Sequence, residues 1–111
     1  MTIPELAAIT SANGLSLSDK QCSQLEEYAA LLKEKNQVVN LISRKDEDNI
    51  VAKHILQSLT IAMPEVIGFE FKQGIKVFDI GTGGGLPGIP LKIVRPDLNI
   101  VLCDSIGKKI V

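Results

Sequence analysis

Between Ile80 and Ile89 the chain carries Gly81-Thr-Gly-Gly-Gly-Leu-Pro-Gly88, which holds five of its nine glycines. An acid stands on either side: Asp79 lies two residues before Gly81, and Asp104 lies 23 residues after it. Residues without a Cβ let a ligand rest against the backbone and permit a tight turn from strand to helix. The helix that follows offers unpaired N–H groups and a positive dipole end. A carboxylate at the tip of the next parallel strand can accept both hydroxyls of a ribose. One tight turn needs one or two glycines rather than five. Loop plus acid therefore reads as a site for a nucleoside-containing cofactor.

The glycine spacing alone leaves the cofactor open. Gly83-x-Gly85-x-x-Gly88 satisfies the dinucleotide fingerprint, whereas Gly81-x-Gly83-x-Gly85 sets the glycines nearer the strand; a solitary G-x-G-x-x-G is weak. Asp79 adds an electrostatic sign. An anion at the floor of the loop repels a pyrophosphate and suits an ammonium group. S-adenosylmethionine has the ammonium and no phosphate, so it is favoured over NAD, which stays as the alternative. The other reading of Asp79 is a strand-end carboxylate that accepts backbone N–H groups. No G-K-[ST] follows the loop, which excludes a P-loop hydrolase.

The elements that must position these groups fall into a helical first part and a strand-containing second part. Thr2 with Pro4 and Glu5 reads as a helix start, and Gly14 as its end. Ser18 with Gln21 forms a capping-box pattern ahead of Cys22, Leu25, Tyr28, Ala29 and Leu32 at helical spacing. The segment from Asn36 to Arg44 interrupts that helix. The charged bend Arg44-Lys-Asp-Glu-Asp48 leads into a third helix, with Ile50, Val51, His54, Ile55, Ser58, Leu59 and Ala62 on one face. Pro64 and Gly68 are expected to close it. Residues 75–80 and 98–103 read as strands and 89–94 as a short helix. Strand, loop, helix and strand make a βαβ unit with two parallel strands.

Composition bounds the class. The chain has 111 residues, 45% of them apolar and 23% charged, with a formal net charge of −1. That is one small globular domain without an overall pull toward nucleic acid or anionic lipid. No apolar run approaches the roughly 18–20 residues that span a bilayer, and no signal peptide is visible after Met1. Cys22 and Cys103 form no zinc spacing and read as reduced thiols of a cytoplasmic protein. No metal site is expected.

Val77-Phe-Asp-Ile-Gly-Thr-Gly-Gly-Gly-Leu-Pro-Gly-Ile-Pro-Leu91, Ile93-Val-Arg-Pro96 and Leu102-Cys-Asp-Ser-Ile-Gly-Lys-Lys109 together resemble the RsmG (GidB) family of class I methyltransferases. The L-P-G-I-P-L and D-S-x-G-K-[KR] strings are far more specific than a glycine motif. Asn40-Leu-Ile-Ser43 is similar to the family's N-L-T-[AS], and Lys53-His-Ile-Leu-Gln-Ser-Leu59 to its R-H-I-L-D-S-L. The resemblance implies an enzyme that methylates guanine N7 in 16S ribosomal RNA with S-adenosylmethionine as donor. Its partner would be 16S rRNA or the small ribosomal subunit, with neither membrane nor DNA involved. The family's first loop glycine and leucine contact the donor, which transfers to Gly81 and Leu86. The ribose acid of class I methyltransferases transfers to Asp104. Gly84 stands where the family has proline, Gln57 where it has Asp, and Lys53 where it has Arg.

The expected fold is α/β: N-terminal helices followed by the first βαβ unit of a Rossmann-like class I methyltransferase fold, truncated at Val111. Residues 1–68 form the helical region. Residues 69–111 begin the S-adenosylmethionine-binding Rossmann-like domain, the two making one compact unit. The expected donor half-site is Asp79, Gly81, Gly83, Gly85, Leu86 and Asp104, with no catalytic residue named. His54 is expected to be a hydrogen-bonded structural histidine, since guanine N7 has a lone pair and needs no base. Lys92, Arg95, Lys108 and Lys109 are expected to form an ordinary solvated face rather than an RNA-binding rim. The competing readings are a non-catalytic fragment, self-associating through an exposed sheet edge, and an NAD-binding module.

Overall fold

The computed structural model describes residues 1–80, 85–103 and 109–110, the last two and Cys103 in backbone only. Gly81, Gly83 and Asp104 of the expected half-site lie outside the described residues, as does Lys108.

Local chemistry accounts for the first two helices. Helix α1 (Ile3–Ala12) opens on a capping box, in which Thr2 Oγ1 accepts from Glu5 N and Glu5 Oε1 accepts from Thr2 N. Gly14, at φ +89°, turns the chain after it. Helix α2 (Asp19–Asn36) repeats the device with Ser18 and Gln21. Its end is held by Asn36, 1% exposed, whose Oδ1 accepts the N–H groups of Leu41 at 2.7 Å and Ile42 at 2.9 Å.

The expected third helix is a run of changing winding. Arg44–Asn49 is 3₁₀, Val51–Ile55 is a π turn, Leu56–Leu59 is α3, and Thr60–Ala62 is 3₁₀ again. Pro64 does not close this run. It opens a separate turn, α4 (Pro64–Ile67), because proline fits the first helical position, where its missing N–H is no loss. Gly68, at φ +81°, ends that turn.

Strands β1 (Lys76–Ile80) and β2 (Asn99–Cys103) pair in parallel, with Val77 opposite Ile100 and Asp79 opposite Leu102. Helix α5 (Gly88–Val94) makes the crossover. A further two-residue strand, β3 (Lys109–Ile110), lies antiparallel to β2, giving the order β1-β2-β3. The sequence pattern contained no signal for β3, because two residues are too few for alternation to register.

One core joins both parts of the chain: Leu6, Leu25, Leu32, Ile55, Leu59 and Met63 from the helical region cluster with Leu91, Val94 and Leu98. Helix α5 packs on the sheet face that carries Asp79 and Leu102. The opposite face of β1 is open, with Phe78 60% and Ile80 80% exposed. Among the described residues no helix is long and apolar enough to cross a membrane.

Candidate functional site

Strand β1 delivers Asp79 to its C-terminal end, half-buried, directly before the glycine loop. Its Oδ2 accepts the N–H of Gly88, the first residue of α5, at 2.7 Å. Asp79 thus behaves as a strand-end carboxylate toward the backbone, the second of its two sequence readings. Burial raises the Asp79 carboxyl above its ordinary range, and the Gly88 hydrogen bond opposes that rise.

The backbone around this contact is crowded. A Cβ on Gly88 would stand 2.2 Å from Leu102 Cδ2 and 2.7 Å from Asp79 Oδ2. Gly85 has φ +90°, and a Cβ there would stand 2.3 Å from Ile89 Cδ1. Both glycines are therefore required on steric grounds, Gly88 by close helix–sheet packing and Gly85 by its left-handed conformation. Ile89 N donates to Gly85 O at 2.7 Å, which ties the end of the loop to the start of α5.

Helix α2 bears on these elements through two residues that sequence reasoning treated only as packing or capping. Buried Tyr28 has its phenol pushed well up by burial and, second, by the negative charge of Asp79. Gln21 completes its capping box and also donates from Nε2 to Ile93 O at 3.2 Å and Val94 O at 3.3 Å, the free carbonyls ending α5. The capping pattern disclosed Gln21; its reach to α5 spans more than seventy residues and has no local signal.

Of the expected half-site, the structure describes Asp79, Gly85 and Leu86. Leu86 lines a cavity of about 350 Å³ together with Pro87, His54, Gln57, Ser58 and Ile61. A larger cavity, about 1020 Å³, runs between the start of α2, α5 and β2, and holds none of the expected site residues. It is walled mainly by hydrocarbon from Ile89, Ile93, Ile100 and Leu102.

His54 departs from expectation. Its Nε2 is buried and has no hydrogen-bond partner among the described residues, although Asp46 Oδ2 stands 3.6 Å away. The expectation of a hydrogen-bonded structural histidine is corrected accordingly: the Asp46 carboxylate, carried on the 3₁₀ turn, stands just beyond bonding distance.

Two of the expected solvated cations serve the fold. Lys92 Nζ donates to Pro96 O at 2.6 Å and Leu98 O at 2.7 Å. Arg95 bonds both oxygens of Asp97 and the carbonyl of Phe71. Cys22 is a free thiol packed against the core. Among the described residues no group of His, Cys, Asp or Glu could hold a metal ion.

Comparison with known proteins accords with this arrangement. The GidB family model, described as rRNA small subunit methyltransferase G, matches residues 21–111. Proteins named ribosomal RNA small subunit methyltransferase G are similar to the chain. That of Chlorobium chlorochromatii is 45% identical over 95% of the chain and 43% of the relative. That of Porphyromonas gingivalis is 48% identical over 85% of the chain and 41% of the relative. That of Erwinia tasmaniensis is 42% identical over 97% of the chain and 49% of the relative. The chain thus spans under half the length of these curated relatives. With a glycine loop between parallel strands and a family match over most of its residues, the chain belongs to the GidB family of rRNA small subunit methyltransferases.

Proposed function

We propose that this chain acts in the methylation of guanine N7 in 16S ribosomal RNA, with S-adenosylmethionine as methyl donor. In this reading Asp79, Gly81, Gly83, Gly85, Leu86 and Asp104 form the donor half-site, and 16S rRNA or the small ribosomal subunit is the partner. Residues 69–111 begin a Rossmann-like donor domain, with the helical region 1–68 as its other part. The place of action is the cytoplasm.

The observation that supports this most is Asp79, a half-buried acid at the end of β1, fixed by the Gly88 N–H at the start of α5. A methionine-derived ammonium suits that anion, whereas a dinucleotide pyrophosphate would be repelled by it. The hydrogen bond from Gly88 engages one oxygen, and a carboxylate has acceptor sites to spare.

S-adenosylmethionine, when bound, supplies an electrophilic sulfonium methyl. Asp79 would hold the ammonium, Asp104 the ribose hydroxyls, and the bare backbone at Gly81 and Gly83 would admit the ligand beside Leu86, with Gly85 supplying the left-handed turn that follows. Guanine N7 has its own lone pair and needs no base, so the task left to the chain would be to align it with the sulfonium methyl, whose bond to sulfur breaks as the thioether leaves.

Incubation with S-adenosylmethionine bearing a tritiated methyl and with unmethylated 16S rRNA tests the reading. Label recovered on N7 of a guanine supports it. Label on another base, or none, rejects methyl transfer to guanine N7 by this chain.

A further inference from the structure

Helix α5 has only seven residues, and an isolated helix under about 12 residues is marginal in water. Its place is therefore set by what grips its two ends. At the start, Gly88 N donates to Asp79 Oδ2 at 2.7 Å and Ile89 N to Gly85 O at 2.7 Å. These bonds tie the first turn to Asp79 and to the end of the glycine loop. At the finish, Gln21 Nε2 donates to Ile93 O at 3.2 Å and Val94 O at 3.3 Å, and terminal carbonyls of this kind have no partner within a helix.

We propose that Gln21 is a positioning residue for the methyl-donor site, acting through α5: its amide fixes the far end of the helix whose near end carries the Gly88 contact to Asp79. This rests on the reading of the glycine loop as the donor site. Three observations carry it. Every hydrogen-bonding group of the Gln21 side chain is engaged, because Oε1 accepts Ser18 N at 2.8 Å while Nε2 serves α5. The amide thus has one orientation, and reversing it would lose all three bonds. Helix α5 is also clasped between sheet and α2: Gly88 lies so close to the sheet that a Cβ would meet Leu102 and Asp79, while Leu91 and Val94 share a core with Leu25 and Leu32 of α2. A shift of the far end then tilts the helix about Gly88. Last, one stripe of α2 reaches both ends. Tyr28 follows Gln21 by two turns on the same face, and the charge of Asp79 acts on its phenol. Two turns of α2 advance about 10.5 Å, and the steps from Val94 back to Gly88 about 9 Å.

A binding constellation works only when its groups are held within about 0.5 Å of the productive geometry, and Gly88 helps to set where Asp79 Oδ2 stands. Gln21 has a second task, the capping box of α2, and the two tasks separate chemically. Gln21→Glu keeps an oxygen for Ser18 N, as a capping box permits, but turns a carboxylate toward the carbonyls of α5, where negative charge is unfavourable. Gln21→Lys does the reverse. Its ammonium donates to carbonyls at a helix end, and the oxygen that served Ser18 N is gone.

The test compares the parent, Gln21→Glu and Gln21→Lys by titration calorimetry with S-adenosylmethionine. The amide signals of Gly88 and Ile89 are read without ligand in the ¹⁵N-labelled chains, and circular dichroism establishes that each is folded. Gln21→Glu is expected to weaken binding about fivefold, the usual contribution of one hydrogen bond, and to move both amide signals. Gln21→Lys is expected to stay within about twofold of the parent and to keep the parent's signals. Gln21→Met lacks both groups, so its difference from Gln21→Lys isolates the bridge again if Gln21→Glu does not fold. Equal affinity in parent and Gln21→Glu overturns the proposal, as do amides that Gln21→Glu leaves in place. Loss in Gln21→Lys with retention in Gln21→Glu also overturns it, by assigning the effect to the cap. The donor reading survives each of these results, because the parent binds. A parent that gives no heat with S-adenosylmethionine rejects the donor reading, and the positioning role with it.

Discussion

Asp79 Oδ2 accepts the N–H of Gly88 at 2.7 Å, so the end of β1 and the start of α5 are joined directly. The contact requires that residue 88 have no side chain, because a Cβ would meet both Asp79 and Leu102. The last glycine of the fingerprint therefore serves the strand–helix junction.

Gly88→Ala is expected to lower stability by about 1–3 kcal/mol, the usual cost of forcing a methyl group into a packed interior. For a chain of this size that corresponds to roughly 4–8 °C in Tm for each kcal/mol, read by thermal unfolding. Gly85→Ala is expected to destabilise by strain at positive φ, while the Ile89 side chain it meets can move aside. A Gly88→Ala chain as stable as the parent would refute the packing argument.

The pH dependence of stability divides between two carboxylates of opposite shift. Arg95 bonds Asp97 through both of its oxygens, and with the Gly74 N–H this lowers the Asp97 carboxyl to about 2. Because its folded value is depressed, the stabilisation it gives is present above the ordinary carboxylate value near 4 and is lost as pH falls toward about 2. Asp97→Asn is expected to flatten acid unfolding in that window, followed by circular dichroism.

Asp79 has the reverse sign. Its carboxyl is raised by burial, so its contribution is present at low pH and is lost as pH rises from the ordinary value of about 4 through the folded one. Asp79→Asn keeps an oxygen for Gly88 and removes the ionisation. Stability of this variant is expected to be at least that of the parent at neutral pH, and its slope with pH just above 4 is expected to be smaller. A steeper slope would contradict burial as the cause.

The open face of β1 sets a further expectation. Phe78 and Ile80 stand 60% and 80% exposed on a strand whose outer edge has no partner among the described residues. Such a ribbon is prone to self-association. Sedimentation velocity is expected to show concentration-dependent association that Phe78→Ser and Ile80→Ser together reduce. A monomer at all concentrations would count against it.

Elements specified by neighbours in the chain were readable from sequence. The helix start at Thr2, the capping box at Ser18 and the βαβ unit are all local chemistry. The winding changes between Arg44 and Ala62 were not, because π, α and 3₁₀ turns place apolar residues at nearly the same spacing. Nor was the approach of His54 to Asp46, nor the commitment of Lys92 and Arg95 to nearby carbonyls and Asp97. A charged side chain reads alike in sequence whether it faces water or a carbonyl.

Titration calorimetry of the chain with S-adenosylmethionine at neutral pH, beside the Asp79→Asn variant, tests the account most directly. Saturable heat is expected from the parent, with affinity reduced roughly 10- to 100-fold in the variant, the worth of a hydrogen bond to a charged group. Absence of heat at millimolar ligand, or equal affinity in parent and variant, would contradict the assignment of Asp79 and its loop to the donor.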